Sequence, residues 1–283
     1  MICTYGLSIT GRSHKKSGTV CQDSHKIKML SNGWIAAAVA DGVGSSKYSD
    51  TASLTAVNTV VDHIGKILNT CSEWDDQRNK VIMEEAFINA LDGIYDKALE
   101  DNNFISDYDT TLTALLYNGS KIVYGHSGDG GIIGLTAEGN YIPVTSVQKG
   151  DEHNVVIPLR TGISEWVFAS SEHEFCSLLL LTDGILDVMT PSLLNGGVYI
   201  RFAMQFMDNK CIGFNGDDQY DAEKFKSNVY DFFSGDTCKS ITDDITIVGI
   251  INCGTTPAEK EPSYYDEPDW RMLKNERYKK LYP

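Results

Sequence analysis

An α+β fold, with sheets covered by helices, is what this sequence predicts, and three observations predict it. β-like runs occur in blocks instead of alternating one by one with helices, which favours a sandwich over a doubly wound parallel sheet. Two turns between such runs, Asn118-Gly119 and Glu138-Gly139, suit hairpins, so the sheets are expected to be mainly antiparallel. Apolar residues recur at helical spacing in two long stretches before the main block of strands and in two more after it.

In chain order, the first β-like runs are Thr4 to Thr10 and Trp34 to Ala40. A helix from about Asp50 to Asn69 follows, with Val57, Val60, Val61, Ile64, Ile67 and Leu68 on one stripe, and Ser46 or Ser49 is its expected N-cap. Phe87, Leu91, Ile94, Tyr95 and Ala98 mark the next helix. The block of strands comprises Thr111 to Tyr117, Lys121 to His126, Gly131 to Thr136, Glu165 to Ala169 and Ser177 to Leu181. Two helices then carry Phe202, Phe206 and Met207, and Phe225, Val229, Phe232 and Phe233, before a last strand at Ile245 to Ile251. No linker-like stretch divides this span, so residues 1–253 are expected to be one domain and 254–283 a C-terminal arm. The arm begins acidic and Pro-broken (EKEPSYYDEPDW) and ends basic (RMLKNERYKKLYP) in a short helix. It is expected to pack on its own domain, with partner binding as the other reading.

A hydrophobic content of 42% in 283 residues is enough for a substantial core. The net charge of -15 repels a phosphate backbone, which excludes nucleic acid as the expected partner. Seven scattered cysteines without a CxxC pair read as reduced thiols, not as a disulfide frame or zinc site. The first residues lack a basic region followed by a long apolar segment, and no apolar run approaches the ~18 residues that cross a bilayer. The expected location is the cytoplasm, away from membranes.

Function is written mainly in aspartates. Asp41, Asp129, Asp183 and Asp243 each stand by an apolar run and beside glycine or a second aspartate, and Asp23 lies in TVCQDSH. One Asp-Gly is foremost a turn. Several gathered by a folded sheet form a negative pocket, and hard divalent cations are the usual neutralising partners. An all-oxygen donor set selects Mg²⁺ or Mn²⁺ over zinc. Two such ions about 4 Å apart polarise a phosphoryl oxygen and turn a bridging water into hydroxide, the chemistry of phosphomonoester hydrolysis. Asp41 is placed to bridge them, with the Gly42 carbonyl as a further ligand.

The ordered set CQD, ADGVG, SGDGG, LTDGILDVM and DDIT, from about Ser8 to Ile251, resembles the metal-dependent protein phosphatases of the 2C type, the PPM superfamily. GRSHKKSGTVCQDSH and QKGDEHNVV are similar to a bacterial branch of it. The resemblance implies a four-layer αββα sandwich, two mainly antiparallel sheets flanked by helix pairs, with the metals between the sheets. It implies that Asp41 bridges two core Mn²⁺ or Mg²⁺ ions, that Gly42 binds one through its carbonyl, and that Asp183 and Asp243 complete the second. Asp23 would hold metal-bound water, and Asp129, Asp183 and Asp187 a weaker third ion. Asp244 reads as a neighbour, not a ligand. The implied activity is hydrolysis of phosphoserine and phosphothreonine in proteins, the substrates of a Ser/Thr kinase in a signalling pathway.

Three departures stand out. Gly18 occupies the place of a phosphate-binding arginine, so Arg12 and His14 are the first choices for that task, ahead of Lys15 and Lys16. A packing histidine is the other reading of His14. Val43 replaces a histidine proposed as general acid in some members, leaving proton donation to metal-bound water or His14. SGDGG replaces the more usual GDSR while keeping Asp129. The polar stretch VTSVQKGDEHNVVIPLRTG falls where relatives have a mobile flap, a place for substrate selection. GHSGD misses the GxSxG nucleophile elbow at its last residue, and no nucleotide-binding loop is intact. A catalytically weak or inactive scaffold of the same fold, binding a partner through flap or tail, is the alternative.

Overall fold

The computed structural model describes residues 1–148, 156–214 and 219–281. Among these, ten strands and eight α-helices appear, and the strands form two five-stranded sheets in which every pairing is antiparallel. One sheet is ordered β1 (Ile2–Ile9), β10 (Ile245–Asn252), β9 (Phe175–Leu181), β6 (Gly131–Thr136), β7 (Tyr141–Pro143). The other is β2 (Ser24–Met29), β3 (Ile35–Ala40), β4 (Leu112–Tyr117), β5 (Ile122–Ser127), β8 (Val167–Ser170).

Helices α2 (Ser49–Leu68) and α3 (Asp76–Glu100) cover the second sheet. The first is covered by α4 (Asp183–Met189), α5 (Ile200–Met207) and α7 (Gln219–Ser234), with α6 (Asn209–Ile212) between the last two. The order helix, sheet, sheet, helix is the expected four-layer sandwich. Because each sheet is covered on both faces, its inner strands are apolar throughout and show little alternation. In β3 (IAAAVA), Ala36, Ala38 and Ala40 pack under α2, while Ile35, Ala37 and Val39 face the opposite sheet. The small alanines let α2 approach closely with Ala52, Ala56 and Val60. Between the sheets, Leu115, Ile132, Leu178, Leu180, Val248 and Ile250 form a dry layer. Each fully buried Leu or Ile there contributes about 1.5–3 kcal/mol.

The hairpin signals behave as read. Gly119 and Gly139 take φ of 102° and 81° in the β4–β5 and β6–β7 turns, a backbone region that disfavours residues with a Cβ. The N-cap expectation for α2 does not hold. Tyr48 precedes the helix with no side-chain cap; Ser49 is buried and accepts from Gln22 Nε2 at 2.7 Å, and Ser46 Oγ donates to the Ser106 carbonyl. Both serines serve tertiary contacts instead. Five strands and α-helices that the sequence reading passes over are α1 (Arg12–Ser17), β2, β7, α4 and α6. β2 alternates Ser, His, Lys, Ile, Lys, Met, and its long polar side chains hide its strand character.

The residues expected to form the arm pack against the rest of the described chain. Ala258 N–H donates to the Ala137 carbonyl (2.8 Å), Tyr141 N–H to Tyr264 Oη (3.0 Å), and Trp270 meets the edge of Tyr199 with ring centroids 5.1 Å apart. These residues end in α8 (Trp270–Leu281), largely exposed. No helix among the described residues is long and apolar enough to cross a membrane.

Buried histidines set an acid limit on this core. His25 on β2 packs over Gly6 of β1, and its Nδ1 lies 2.8 Å from Ser8 Oγ. Burial, helped by the charge of Lys226, lowers its pKa to about 4, and burial lowers that of His126 on β5 to about 4 as well. The unfolded chain takes up these protons near pH 6.5, the folded chain only near pH 4, so stability from both groups is present above 6.5 and lost as pH falls toward 4. The difference in unfolding free energy between wild type and His25→Gln is expected to shrink over that window in urea titrations. A difference independent of pH between 4 and 7 would contradict the assignment.

Candidate metal centre

Every motif aspartate sits at one end of the sandwich, because register brings those strand ends together. Ala40 at the end of β3 pairs with Ser24 at the start of β2, and Leu181 at the end of β9 pairs with Gly131 and Ile247 at the starts of β6 and β10. Asp41 continues β3 with its main chain fully engaged. Its N–H donates to Thr111 Oγ1 (2.9 Å), and its carbonyl accepts from Thr111 N–H and Thr110 Oγ1 (2.8 Å each). The carboxylate is thereby left to face the cavity. Gly42 N–H donates to the Gln22 carbonyl, and a Cβ at Gly42 would fall 2.6 Å from the Ser49 carbonyl oxygen, so only glycine fits.

Asp129 stands in the β5–β6 turn beside Gly128, whose φ of 110° is left-handed. Asp183 opens α4 directly after β9. The ligand oxygens of Asp41, Asp129 and Asp183 all lie within 4.8 Å of one another. They face a cavity of about 410 Å³ that is also lined by Asp243, Gly42, Gln22 and His14.

Burial, then the charges of Asp23 and Asp183, raises the Asp41 carboxyl well above the usual carboxylate range; burial raises Asp183 too. Three half-buried carboxylates at this spacing fit a hard divalent cation, the all-oxygen donor set that Mg²⁺ and Mn²⁺ prefer.

The other expected residues are distributed unequally. Asp23 lies behind the cavity, 5% exposed, accepting from Thr182 Oγ1 at 2.7 Å, and burial pushes its pKa up to about 8. Asp187 is exposed one turn along α4, near enough for its charge to raise Asp183. Asp244 is buried and consumed by protein donors: Gly11 N–H and Gln22 N–H at 2.6 Å each, with His14 Nδ1 2.9 Å away, off the line of a hydrogen bond. His14 reaches the cavity from α1. Arg12, two residues earlier, does not: its guanidinium donates to the Gly235 and Ser234 carbonyls (2.6 and 3.3 Å) at the C-terminal end of α7. Those carbonyls carry partial negative charge and compete successfully for the arginine.

Sequence reasoning missed the anchors of the flap stretch, of which residues 149–155 lie outside the described residues. Before them, Gln148 Oε1 accepts from Gly128 N–H at 3.0 Å, beside Asp129. After them, Arg160 forks onto Asp109 (2.8 and 3.0 Å), and Leu159 N–H donates to the Thr110 carbonyl, beside Asp41. Nothing in the local sequence marks these long-range pairs.

Three outcomes test the centre. Mn²⁺ at a hundred times its dissociation constant is expected to stabilise the protein by about 2.7 kcal/mol in thermal unfolding. Asp183→Asn is expected to lose most of that gain while being at least as stable as wild type in chelator, since it removes one of three crowded carboxylates. Gly42→Ala is expected to destabilise by about 1–3 kcal/mol and to weaken Mn²⁺ binding, as its methyl meets backbone that must shift. Calorimetry of both variants, with and without metal, checks these values.

The sequence profile described as Protein phosphatase 2C matches residues 10–209. No curated protein matches the chain. Among solved structures, a bacterial serine phosphatase aligns at a TM-score of 0.58 with 13% identity, covering 92% of this chain and 100% of its own. The serine/threonine phosphatase Stp1 from Staphylococcus aureus aligns at 0.56 with 13% identity, covering 89% and 95%. The catalytic domain of the serine threonine protein phosphatase PstP, in complex with two manganese ions, aligns at 0.56 with 15% identity, covering 88% and 97%. At such identities the structures establish the shared fold, and the profile spans most of the chain. The chain belongs to the Protein phosphatase 2C family.

Proposed function

We propose that the protein hydrolyses phosphoserine and phosphothreonine in other proteins, as a metal-dependent phosphatase of its family. The observation that carries this reading is the meeting of Asp41, Asp129 and Asp183 within 4.8 Å around one cavity. In this reading Asp41, the Gly42 carbonyl, Asp183 and Asp243 hold two core Mn²⁺ or Mg²⁺ ions, and Asp129 and Asp187 join Asp183 in holding a third. When bound, the ions supply Lewis-acid polarisation of the phosphoryl group and of an attacking water.

The protein's own groups do the rest. Asp23, buried against Thr182, is the acceptor that orients water at the back of the site. His14, with its Nδ1 beside Asp244, presents the other ring nitrogen to a phosphoryl oxygen and is the proton donor to the leaving serine or threonine. Arg12 is withdrawn from this role, since its donors are spent on α7. The catalytic domain is assigned to residues 1–253. The substrates are phosphoproteins made by a Ser/Thr kinase in the cytoplasm, with no part for nucleic acid or membrane.

One observation favours a second reading, a phosphatase fold that binds a partner with little turnover. Among the described residues lining the cavity, His14 is the one able to carry positive charge. Phosphate release from phosphothreonine and phosphoserine peptides in Mn²⁺, Mg²⁺ or chelator separates the two. Metal-dependent release is expected, at least about a hundredfold lower in Asp41→Asn; none from folded, metal-loaded protein would favour the second reading. His14→Gln is expected to lower kcat/KM about tenfold or more, the worth of one hydrogen bond to a charged group, while Arg12→Ala stays within about twofold. Equal losses in both variants would return Arg12 to the site.

A further inference from the structure

We propose that Cys3 and Cys253 form a thiol pair that closes to a disulfide by exchange with a low-molecular-weight disulfide, stapling the edge strand β1 to β10. The Sγ atoms lie 3.1 Å apart, inside the ~3.5–4.0 Å of ordinary non-bonded contact between heavy atoms. The register explains the approach. Cys3 pairs with Ile251, so Cys253, one residue past the end of β10, lies two residues beyond that partner and its side chain emerges on the same face. The Cys253 N–H donates to the Met1 carbonyl at 2.9 Å, which extends the ladder past the last strand residue and fixes both backbones. Both side chains are half-buried against the core under α5 and α7, so small reagents reach them while the pair stays in place. Closure needs the sulfurs to approach by about 1 Å, to the ~2.05 Å of a disulfide.

In the balanced step, the thiolate of Cys253 attacks one sulfur of the disulfide RSSR, forming a mixed disulfide and releasing RS⁻. Cys3 then gives up its proton and attacks the Cys253 sulfur, and a second RS⁻ leaves. Two protein thiols lose two protons and two electrons, and RSSR gains them as two RSH. Burial, then the hydrogen bond with Cys253, pushes the Cys3 thiol up to about 12.

The consequence is mechanical. The bond closes a loop with a sequence separation of 250, so it removes a large share of the unfolded chain's freedom. β1 has β10 as its one neighbour in the sheet, and its other end leads into α1 with His14. That end lies about 20 Å from the cysteines, at ~3.3 Å per residue. The staple therefore holds the strand without entering the cavity.

The test uses the full chain equilibrated with oxidised glutathione, alkylated, and weighed intact. Expected are five alkylated cysteines of the seven, a mass two hydrogens short before labelling, and a cross-linked peptide joining Cys3 to Cys253. The thermal midpoint should rise by a few degrees or more, fall back with dithiothreitol, and not respond in Cys3→Ser, Cys3→Ala or Cys253→Ser. Cys211→Ser, which alters an exposed cysteine elsewhere, should respond like wild type. Seven alkylated thiols, a stop at the glutathione adduct, a bond to another cysteine, or a Cys3–Cys253 bond without a rise in midpoint would each overturn the proposal.

Discussion

Repulsion among carboxylates at one end of two sheets is the constraint on which the rest depends. Asp41, Asp129 and Asp183 bring their oxygens within 4.8 Å, and burial worsens their mutual repulsion. Left to themselves they would separate or hold protons. The scaffold denies them separation by spending every main-chain group of Asp41 on Thr110 and Thr111, by fixing Asp129 beside a left-handed glycine, and by starting α4 at Asp183. Position is thus supplied by the core, and in the proposed enzyme charge neutrality is left to a cation.

Two polar assemblies transmit that position across the sandwich. Thr246 Oγ1 donates to Ser8 Oγ, which lies against His25 Nδ1, while Thr182 Oγ1 joins Asp23 and accepts from Thr246 N–H. The set links β1 and β10 in one sheet to β2 in the other. Asp244 makes a second tie, from the start of β10 to Gly11, Gln22 and His14. Buried hydrogen bonds made within such networks gain from the low dielectric around them, and an unmet member would cost heavily. The sheets therefore cannot slide without breaking bonds on both sides of the cavity.

Much of this was legible in the sequence, and the limits follow physical lines. Apolar runs in β3, β4, β9 and β10 announce strands because both sheet faces are covered, and the Asp-Gly after β3 and after β9 marks the end of the fold where the carboxylates gather. Short elements were not legible: β2 hides behind His25, Lys26 and Lys28, and α1 is six residues with no buried face. The caps expected at Ser46 and Ser49 failed because tertiary partners, Ser106 and Gln22, outbid the helix end. Pairings such as Arg160 with Asp109 join residues 51 apart, and local pattern carries no sign of them.

Arg12 shows most clearly why residue type alone does not settle a role. A guanidinium two residues before His14 is the natural candidate to meet phosphate, yet the α7 carbonyls lie closer and offer a dipole's negative end. What remains in the cavity is acidic, in a chain of net charge -15 that repels phosphoproteins at long range. Attraction for the substrate must therefore come from within the site. A cation cluster held by the aspartates inverts the local field, so in the proposed enzyme the same ions that neutralise the pocket also recognise the phosphate. In that enzyme His14 adjusts orientation more than affinity, and the positive charge that Gly18 does not supply comes from the metal.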